Sequence, residues 1–416
     1  MNAEVRQGDP ERAYDVVLFG ATGFVGALTA EYLAEHAPTD CRWALAGRDL
    51  GKLERLRERL TALDPACADL PLLRADARDT GALGELAAST RVLATTVGPY
   101  IWHGAELVAA CAEAGTDYLD LTGEPEFVDR TYVEHDARAR ETGARIVHAC
   151  GFDSIPADLG TYYTVNQLPE GVPLRVDGFL RSNALFSGGT LASALTAIGR
   201  GPQTLAAAHT RRLHEPRLLG RRARGPLGAP RFSRETGTWA LPLPVLDPRI
   251  VARSAAALDR YGPDFRYRHY ASVQHLAMAL GGTAALGATA AAAQLPPARR
   301  WLMSRWEPGR GPDAARRARK LVHRPLRGRG RRPPGLHRGL GRRPGLRRDR
   351  QDAGGVRPLP RVRRPPRPGG QLTTAVPMGD APPGPPPEGG HPLPRRRRPL
   401  IRTLGAGHAA QRVGVP

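Results

Sequence analysis

Two regimes of apolar patterning divide this chain. Over roughly the first 150 residues, short apolar runs alternate with stretches of helical period. The run Tyr14-Asp15-Val16-Val17-Leu18-Phe19 opens the series as a strand. Further strands are expected at 41–46, 70–74, 92–95, 118–121 and 144–148, with helices at 24–36, 50–63, 82–89, 104–114 and 127–141. Strand and helix in strict alternation predict a doubly wound parallel sheet of the Rossmann type. Such a sheet gathers the C-terminal ends of its strands on one edge, where ligands bind.

From about residue 159 the pattern changes. Residues 174–182 alternate, with Leu174, Val176, Gly178 and Leu180 on one face of a strand. Ser187-Gly188-Gly189-Thr190 precedes an Ala-rich helix at 191–198, and 211–231 reads as a basic, solvated loop. Residues 271–295 lack charge and are rich in Ala and Gly, which predicts a buried helix or helical hairpin, with contact to a lipid surface as the lesser reading. The segment 156–306 is therefore expected to form a second, α+β domain beside a Rossmann domain at 14–155, after a flexible N-terminus at 1–13.

The loop after the first strand carries the chemistry. Gly20-Ala21-Thr22-Gly23-Phe24-Val25-Gly26 joins a strand to a helix. Gly20 permits the tight turn, Gly23 lets backbone approach a pyrophosphate, and Gly26 allows close helix packing. Phosphates would then meet the free N–H groups and positive dipole end of the helix. The bland alternative is a turn that serves helix packing alone. At the end of the next strand, where an NAD site places an acidic residue on the ribose, this chain has Gly47-Arg48. A guanidinium suits a 2′-phosphate, so NADP is the expected cofactor; a solvated loop arginine is the alternative. Asp76, after the third strand, is a candidate adenine contact. Thr96-Val97-Gly98-Pro99-Tyr100, after the fourth, is placed along the nicotinamide, with Val97, Gly98 and Pro99 as cofactor contacts.

Charge separates the chain again. Residues 301–416 hold 28 Lys+Arg and 6 Asp+Glu, whereas residues 1–300 hold 33 and 34, so the net +21 belongs to the last quarter. From Glu307 onward there is no Phe, Trp or Tyr, and Arg, Pro and Gly dominate. Such a composition cannot bury enough apolar surface to offset chain entropy, which predicts a disordered tail over 307–416. A nucleic-acid role for it is disfavoured, because no aromatic is available to stack on bases and Lys320 is its single lysine. The composition is that of GC-rich codons read out of register. Read one nucleotide later, with third bases free, Lys320 to Pro366 encodes an alternating strand pair, a Gly turn and an amphipathic helix. The stretch 370–381 reads as ordinary sequence, and 382–391, shifted again, starts another amphipathic helix. A frameshifted segment is thus the expected origin of the tail.

Several motifs in this order, YDVVLFGATGFVG (14–26), ALAGRD (44–49), TTVGPY (95–100), YLDLTGE (118–124), ACGFDSIP (149–156) and SGGT (187–190), resemble the saccharopine-dehydrogenase-like oxidoreductases. Among these the chain is most similar to the trans-acting enoyl reductase group, over about residues 14–310, with MGDA at 378–381 continuing the likeness. The resemblance implies a Rossmann domain with NADP, an α+β domain that shapes the substrate cleft, and a chain end that returns to complete the fold. It implies reduction of an acyl thioester, on a small molecule or a carrier, in lipid biosynthesis. A reductase of an amino-acid imine, and a non-catalytic NADP-binding or lipid-associated protein, are the other readings.

Enoyl reduction needs a hydride donor and a proton donor. By position at the sheet edge the candidates are Tyr100, His103, Tyr118, Glu124, Asp153 and Ser154, of which Tyr100, His103 and Asp153 are placed first. Short-chain dehydrogenase chemistry is disfavoured: no Tyr-x-x-x-Lys pair follows the fourth strand, since Lys52 is the only lysine before Lys320. No His/Cys/Asp cluster has metal-ligand spacing. Four cysteines without CxxC spacing, and a polar N-terminus without a signal-peptide core, suggest a reducing cytoplasm, with peripheral membrane contact as a minor addition.

Overall fold

In the computed structural model, the described residues are 12–378 except 153, 183–187, 217, 235, 296, 299–300, 302–321, 324–325 and 331–368. The first unit alternates as the sequence predicts: β1 (Tyr14–Phe19), α1 (Phe24–His36), β2 (Trp43–Gly47), α2 (Leu50–Thr61), β3 (Leu72–Arg74), α3 (Thr80–Ser89) and β4 (Thr90–Thr95). A four-residue helix α4 (Tyr100–His103), not anticipated, precedes α5 (Ala105–Ala114), β5 (Asp117–Leu119), α6 (Pro125–Thr142) and β6 (Arg145–Val147). The sheet runs β6-β5-β4-β1-β2-β3, every pair parallel. Chain order reverses between β1 and β4, and that crevice is where a doubly wound sheet takes its ligand.

The apolar runs are continuous because both sheet faces are covered. Val17 and Phe19 pack with Leu93, Tyr118 and residues of α3 and α5 on one face. Leu18 points the other way, into a cluster with Leu45, Ala30, Leu53 and Leu56. Arg12 departs from the flexible N-terminus expected at 1–13. It is buried, and its guanidinium donates to the carbonyls of Ala87, Ala88 and Ala114 and to Thr116 Oγ1.

The second unit contains α7 (Ile155–Asn166), β7 (Leu174–Ser182), α8 (Gly188–Gly199), α9 (Gly201–His214), β8 (Arg222–Arg224), β9 (Arg231–Ser233), β10 (Thr238–Pro242), α10 (Asp247–Ala257), β11 (Asp264–Val273), α11 (Leu276–Gln294), β12 (Val322–His323) and β13 (Leu326–Gly330). Its mixed sheet has β7 parallel to β11 at the centre. The alternation of Leu174, Val176 and Gly178 faces the core as predicted, but Leu180 is only half-buried. Phe179, on the opposite face, is buried against Ala240 and Tyr270.

Two expectations in this unit are corrected. The loop read at 211–231 contains the end of α9 and the strand β8. Arg222 and Arg224 there keep their side chains in solvent while their backbone pairs with β11, so charge gave no hint of the strand. The helix α11 is not buried: it is apolar on all sides, only 12% of it lies inside the molecule, and Met278 and Leu280 are more than 60% exposed. By length and composition it is long enough to cross a membrane.

Within 307–416 the described residues are not uniform tail. Leu326 is buried beneath β7, which β13 joins as an antiparallel neighbour. Farther on, β14 (Gly370–Leu372) adds in parallel to β6, and α12 (Ala375–Met378) follows it. Asp158 of α7 accepts hydrogen bonds from Ser254 Oγ (2.6 Å), Thr374 Oγ1 (2.7 Å) and the Ala375 N–H (2.9 Å), which ties this return segment to the second unit, as pairing with β6 ties it to the first. β14 and α12 fall in the stretch read from sequence as ordinary, whereas β13 falls at the start of the stretch read as shifted, most of which lies outside the described residues.

Candidate functional site

At the β1–β4 crevice the backbone makes the turn that the glycines predict. Gly20 adopts φ +82°, and its carbonyl accepts the Gly23 N–H at 3.0 Å. Gly23 caps α1 with extended backbone (φ −72°, ψ 167°) and carries no side chain of its own to cap the helix. A Cβ on Gly26 would stand 2.2 Å from the Gly20 carbonyl oxygen and 2.9 Å from Ala21 Cα. Ala21 is buried beneath the turn, while Thr22 and Val25 are exposed and Phe24 is half-buried. The residues present therefore fit a pyrophosphate: a bare helix N-terminus, with no Cβ over it at Gly23.

The adenosine side is set by the loops after β2 and β3. β2 ends at Gly47, and Arg48 stands exposed at its end. The neighbouring Asp49 is committed elsewhere, since its Oδ1 caps α2 through the Lys52 N–H at 3.0 Å. Asp76 Oδ1 accepts the Arg78 N–H at 3.0 Å, closing a local turn. His103 belongs to this corner. Burial lowers its pKa, Arg78 and Arg48 push in the same direction, and Asp76 opposes them. The charged neighbours that act on it come from the loops after β2 and β3.

The segment after β4 closes the crevice. Thr96 N–H donates to Phe19 O, and Thr96 Oγ1 donates to Gly20 O, both at 3.0 Å. Val97 packs against Gly20, where an added Cβ would meet its methyl at 2.6 Å. Gly98 is exposed at the edge and is joined to Pro99 by a cis peptide bond. Tyr100, expected as a donor, turns inward instead. It is 5% exposed, its hydroxyl donates to Thr95 O (3.3 Å) and accepts the Leu121 N–H (3.2 Å). Burial pushes its pKa well above the ordinary phenol value, with Asp120 adding to the effect. The phenol is thus held between two backbone groups inside the domain.

Tyr118 is likewise fully buried, with its hydroxyl 3.1 Å from Asp120 Oδ2. Ser154 is buried too, and its Oγ has no hydrogen-bond partner among the described residues. Asp153, the third leading candidate, lies outside the described residues. Among the described residues no cluster of His, Cys, Asp and Glu could hold a metal.

Two buried carboxylates that sequence reading undervalued organise this edge. Asp120 Oδ2 binds His148 Nδ1 at 2.6 Å, while Oδ1 accepts the Thr122 and Ala149 N–H groups at 3.0 and 2.9 Å. His148 Nε2 continues to Thr131 Oγ1 at 3.0 Å. Glu124 accepts the N–H groups of Tyr100 (3.0 Å) and Ile101 (2.9 Å), and the hydroxyl of Ser193 (2.7 Å). Burial raises its pKa, and these three donors oppose the rise. Ser193 is 69 residues away in the chain, so no spacing rule could have paired them.

Comparison with known proteins places this geometry. A family model described as the saccharopine dehydrogenase NADP binding domain matches residues 16–147. A Mycobacterium tuberculosis protein, provisionally named a trans-acting enoyl reductase, is 42% identical over 341 residues, spanning 74% of this chain and 78% of its own. A trans-acting enoyl reductase of Mycobacterium bovis is 41% identical over 304 residues, 66% of this chain and 71% of that one. Its counterpart in Mycobacterium ulcerans is 38% identical over 304 residues, with 67% and 71% covered.

Proposed function

Because this chain belongs to the trans-acting enoyl reductase family and carries an NADP-binding domain, we propose that it reduces an α,β-unsaturated acyl thioester with NADPH. The observation that carries this reading is the β1–β4 crevice, where the bare N-terminus of α1 faces the edge and Arg48 replaces the acidic residue of an NAD site. When bound, the cofactor supplies the hydride. Gly20 to Gly26 would hold its pyrophosphate, Arg48 its 2′-phosphate, and Val97, Gly98 and Pro99 the nicotinamide side. Asp76 would lie near the adenine.

The reaction balances as one hydride to the β-carbon and one proton to the α-carbon, with charge passing through the thioester carbonyl. Tyr100 and Tyr118 are turned inward, and we assign proton delivery to the loop after β6, which carries Asp153 in the sequence. The acyl group is carried on a small molecule or a carrier. The free thiols of Cys41, Cys67, Cys111 and Cys150 support a reducing, cytoplasmic setting.

Arg48→Ala tests the cofactor assignment. Loss of a guanidinium–phosphate contact is expected to weaken NADPH binding by about tenfold or more, on the scale of a charge-assisted hydrogen bond. NADH binding should stay within about twofold, because no phosphate is there to lose. Titration of both dinucleotides decides it: equal loss for the two would refute the 2′-phosphate role. Substrate class is tested by NADPH oxidation with an enoyl thioester against a keto acid plus an amine. Turnover of the second pair alone would select the imine reductase.

A further inference from the structure

We propose that Glu124 is a positioning residue, whose buried carboxylate fixes the backbone after β4 and couples it to α8 of the second unit. The inference rests on the NADPH reading above and goes beyond it, since it concerns how the nicotinamide-side segment is held. Glu124 is 2% exposed, and its two oxygens receive three donors from two distant parts of the chain. Two of them are the N–H groups of Tyr100 and Ile101, the first two residues of α4. The residue that caps α4, Pro99, makes no side-chain capping bond. The cap is therefore supplied from a distance, and it holds the helix start directly after Val97-Gly98-Pro99.

The third donor is the hydroxyl of Ser193, near the middle of α8. Ser193 also lies over Gly98, where an added Cβ would be 3.8 Å from its Oγ. A second tie lies two residues beyond Glu124. Arg200, just past α8, binds Glu126 through both Nε and Nη2 at 2.7 Å, and its guanidinium sits 5.1 Å over the ring of Trp102 in α4. So α4, the start of α6 and α8 form one braced corner, and the exposed edge at Gly98 sits on it. A carboxylate suits this place because it only accepts. A glutamine would present an NH2 group to at least one donor, leaving a buried hydrogen bond unmade.

The test uses the full chain and two probes. NADPH occupies the whole site, whereas adenosine 2′,5′-bisphosphate occupies only the adenosine side and ends short of the nicotinamide. With Glu124→Gln, calorimetric titration is expected to show NADPH affinity falling about tenfold, on the scale of one buried hydrogen bond lost. Bisphosphate affinity should stay within about twofold of wild type. Ser193→Ala keeps the carboxylate and both backbone bonds, so it should fold whether or not Glu124→Gln does. It is expected to weaken NADPH about threefold and leave the bisphosphate unchanged, on the scale of one hydroxyl hydrogen bond. Parallel loss of both ligands in either variant would make the role merely structural and overturn the proposal. An unchanged NADPH affinity in Ser193→Ala would overturn the coupling to α8. Failure of the wild-type chain to bind NADPH would defeat the cofactor reading and this proposal together, an outcome separable from the others.

Discussion

Gly26→Ala is expected to reduce NADPH affinity by at least about a hundredfold, equivalent to about 2.7 kcal/mol. The new methyl would be placed 2.2 Å from the Gly20 carbonyl oxygen, 2.9 Å from Ala21 Cα and 2.9 Å from Thr96 Oγ1. The first two are backbone atoms, so a side-chain rotation cannot relieve the contact. That same carbonyl accepts the Gly23 N–H and the Thr96 hydroxyl, so displacing it opens both the glycine turn and its link to β4. Overpacking costs typically about 1–3 kcal/mol in stability, and here it also moves the groups that would meet the pyrophosphate. Gly84→Ala in α3 is the control, since an added Cβ there meets nothing within 4 Å. It should bind NADPH as wild type and gain up to about 1 kcal/mol in helix stability. Titration with NADPH and circular dichroism of both variants check the pair. Wild-type affinity in Gly26→Ala would remove the glycine turn from the binding site.

Asp120→Ala should cost about 3–5 kcal/mol of folding stability, the largest loss expected from any single carboxylate in this domain. Alanine would strand the Thr122 and Ala149 N–H groups, the Tyr118 hydroxyl and the inner side of His148 in the core. Ala149 is the described non-glycine residue with positive φ (57°), and its N–H bond to Asp120 helps hold that conformation. Asp120→Asn should cost less, because its oxygen still accepts the two backbone N–H groups while its NH2 faces Tyr118 and His148. Urea denaturation of the three proteins measures the order. Equal midpoints for wild type and Asp120→Ala would mean that the network contributes nothing.

The first unit was legible in sequence for a physical reason. Its strands are covered on both faces, so Val17, Leu18 and Phe19 read as one unbroken apolar run, and the glycine turn follows at once. The run 174–182 was equally plain, because Leu174 and Val176 share one buried face. What escaped notice depends on partners far apart. Nothing local in the sequence joins Glu124 to Ser193, or Asp120 to His148, and Tyr100 reads as an edge residue until its hydroxyl is seen bonded to Thr95 and Leu121. The strand β8 was hidden by arginines that stay in solvent. The exposure of α11 was hidden by composition, since an apolar helix reads alike whether it packs inside a protein or against another apolar medium. Arg12 was placed in a flexible N-terminus, yet its fork geometry lets it satisfy three carbonyls at once.

The most direct test of the central claim follows the hydride. NADPH deuterated at the transferring position is mixed with the chain and a short trans-2-enoyl thioester, and the product is read by mass spectrometry and NMR. The account predicts a saturated thioester with one deuterium at the β-carbon, one solvent-derived hydrogen at the α-carbon, and one NADP⁺ per product. Deuterium retained on a bound, unreacted cofactor, with the double bond intact, would contradict it.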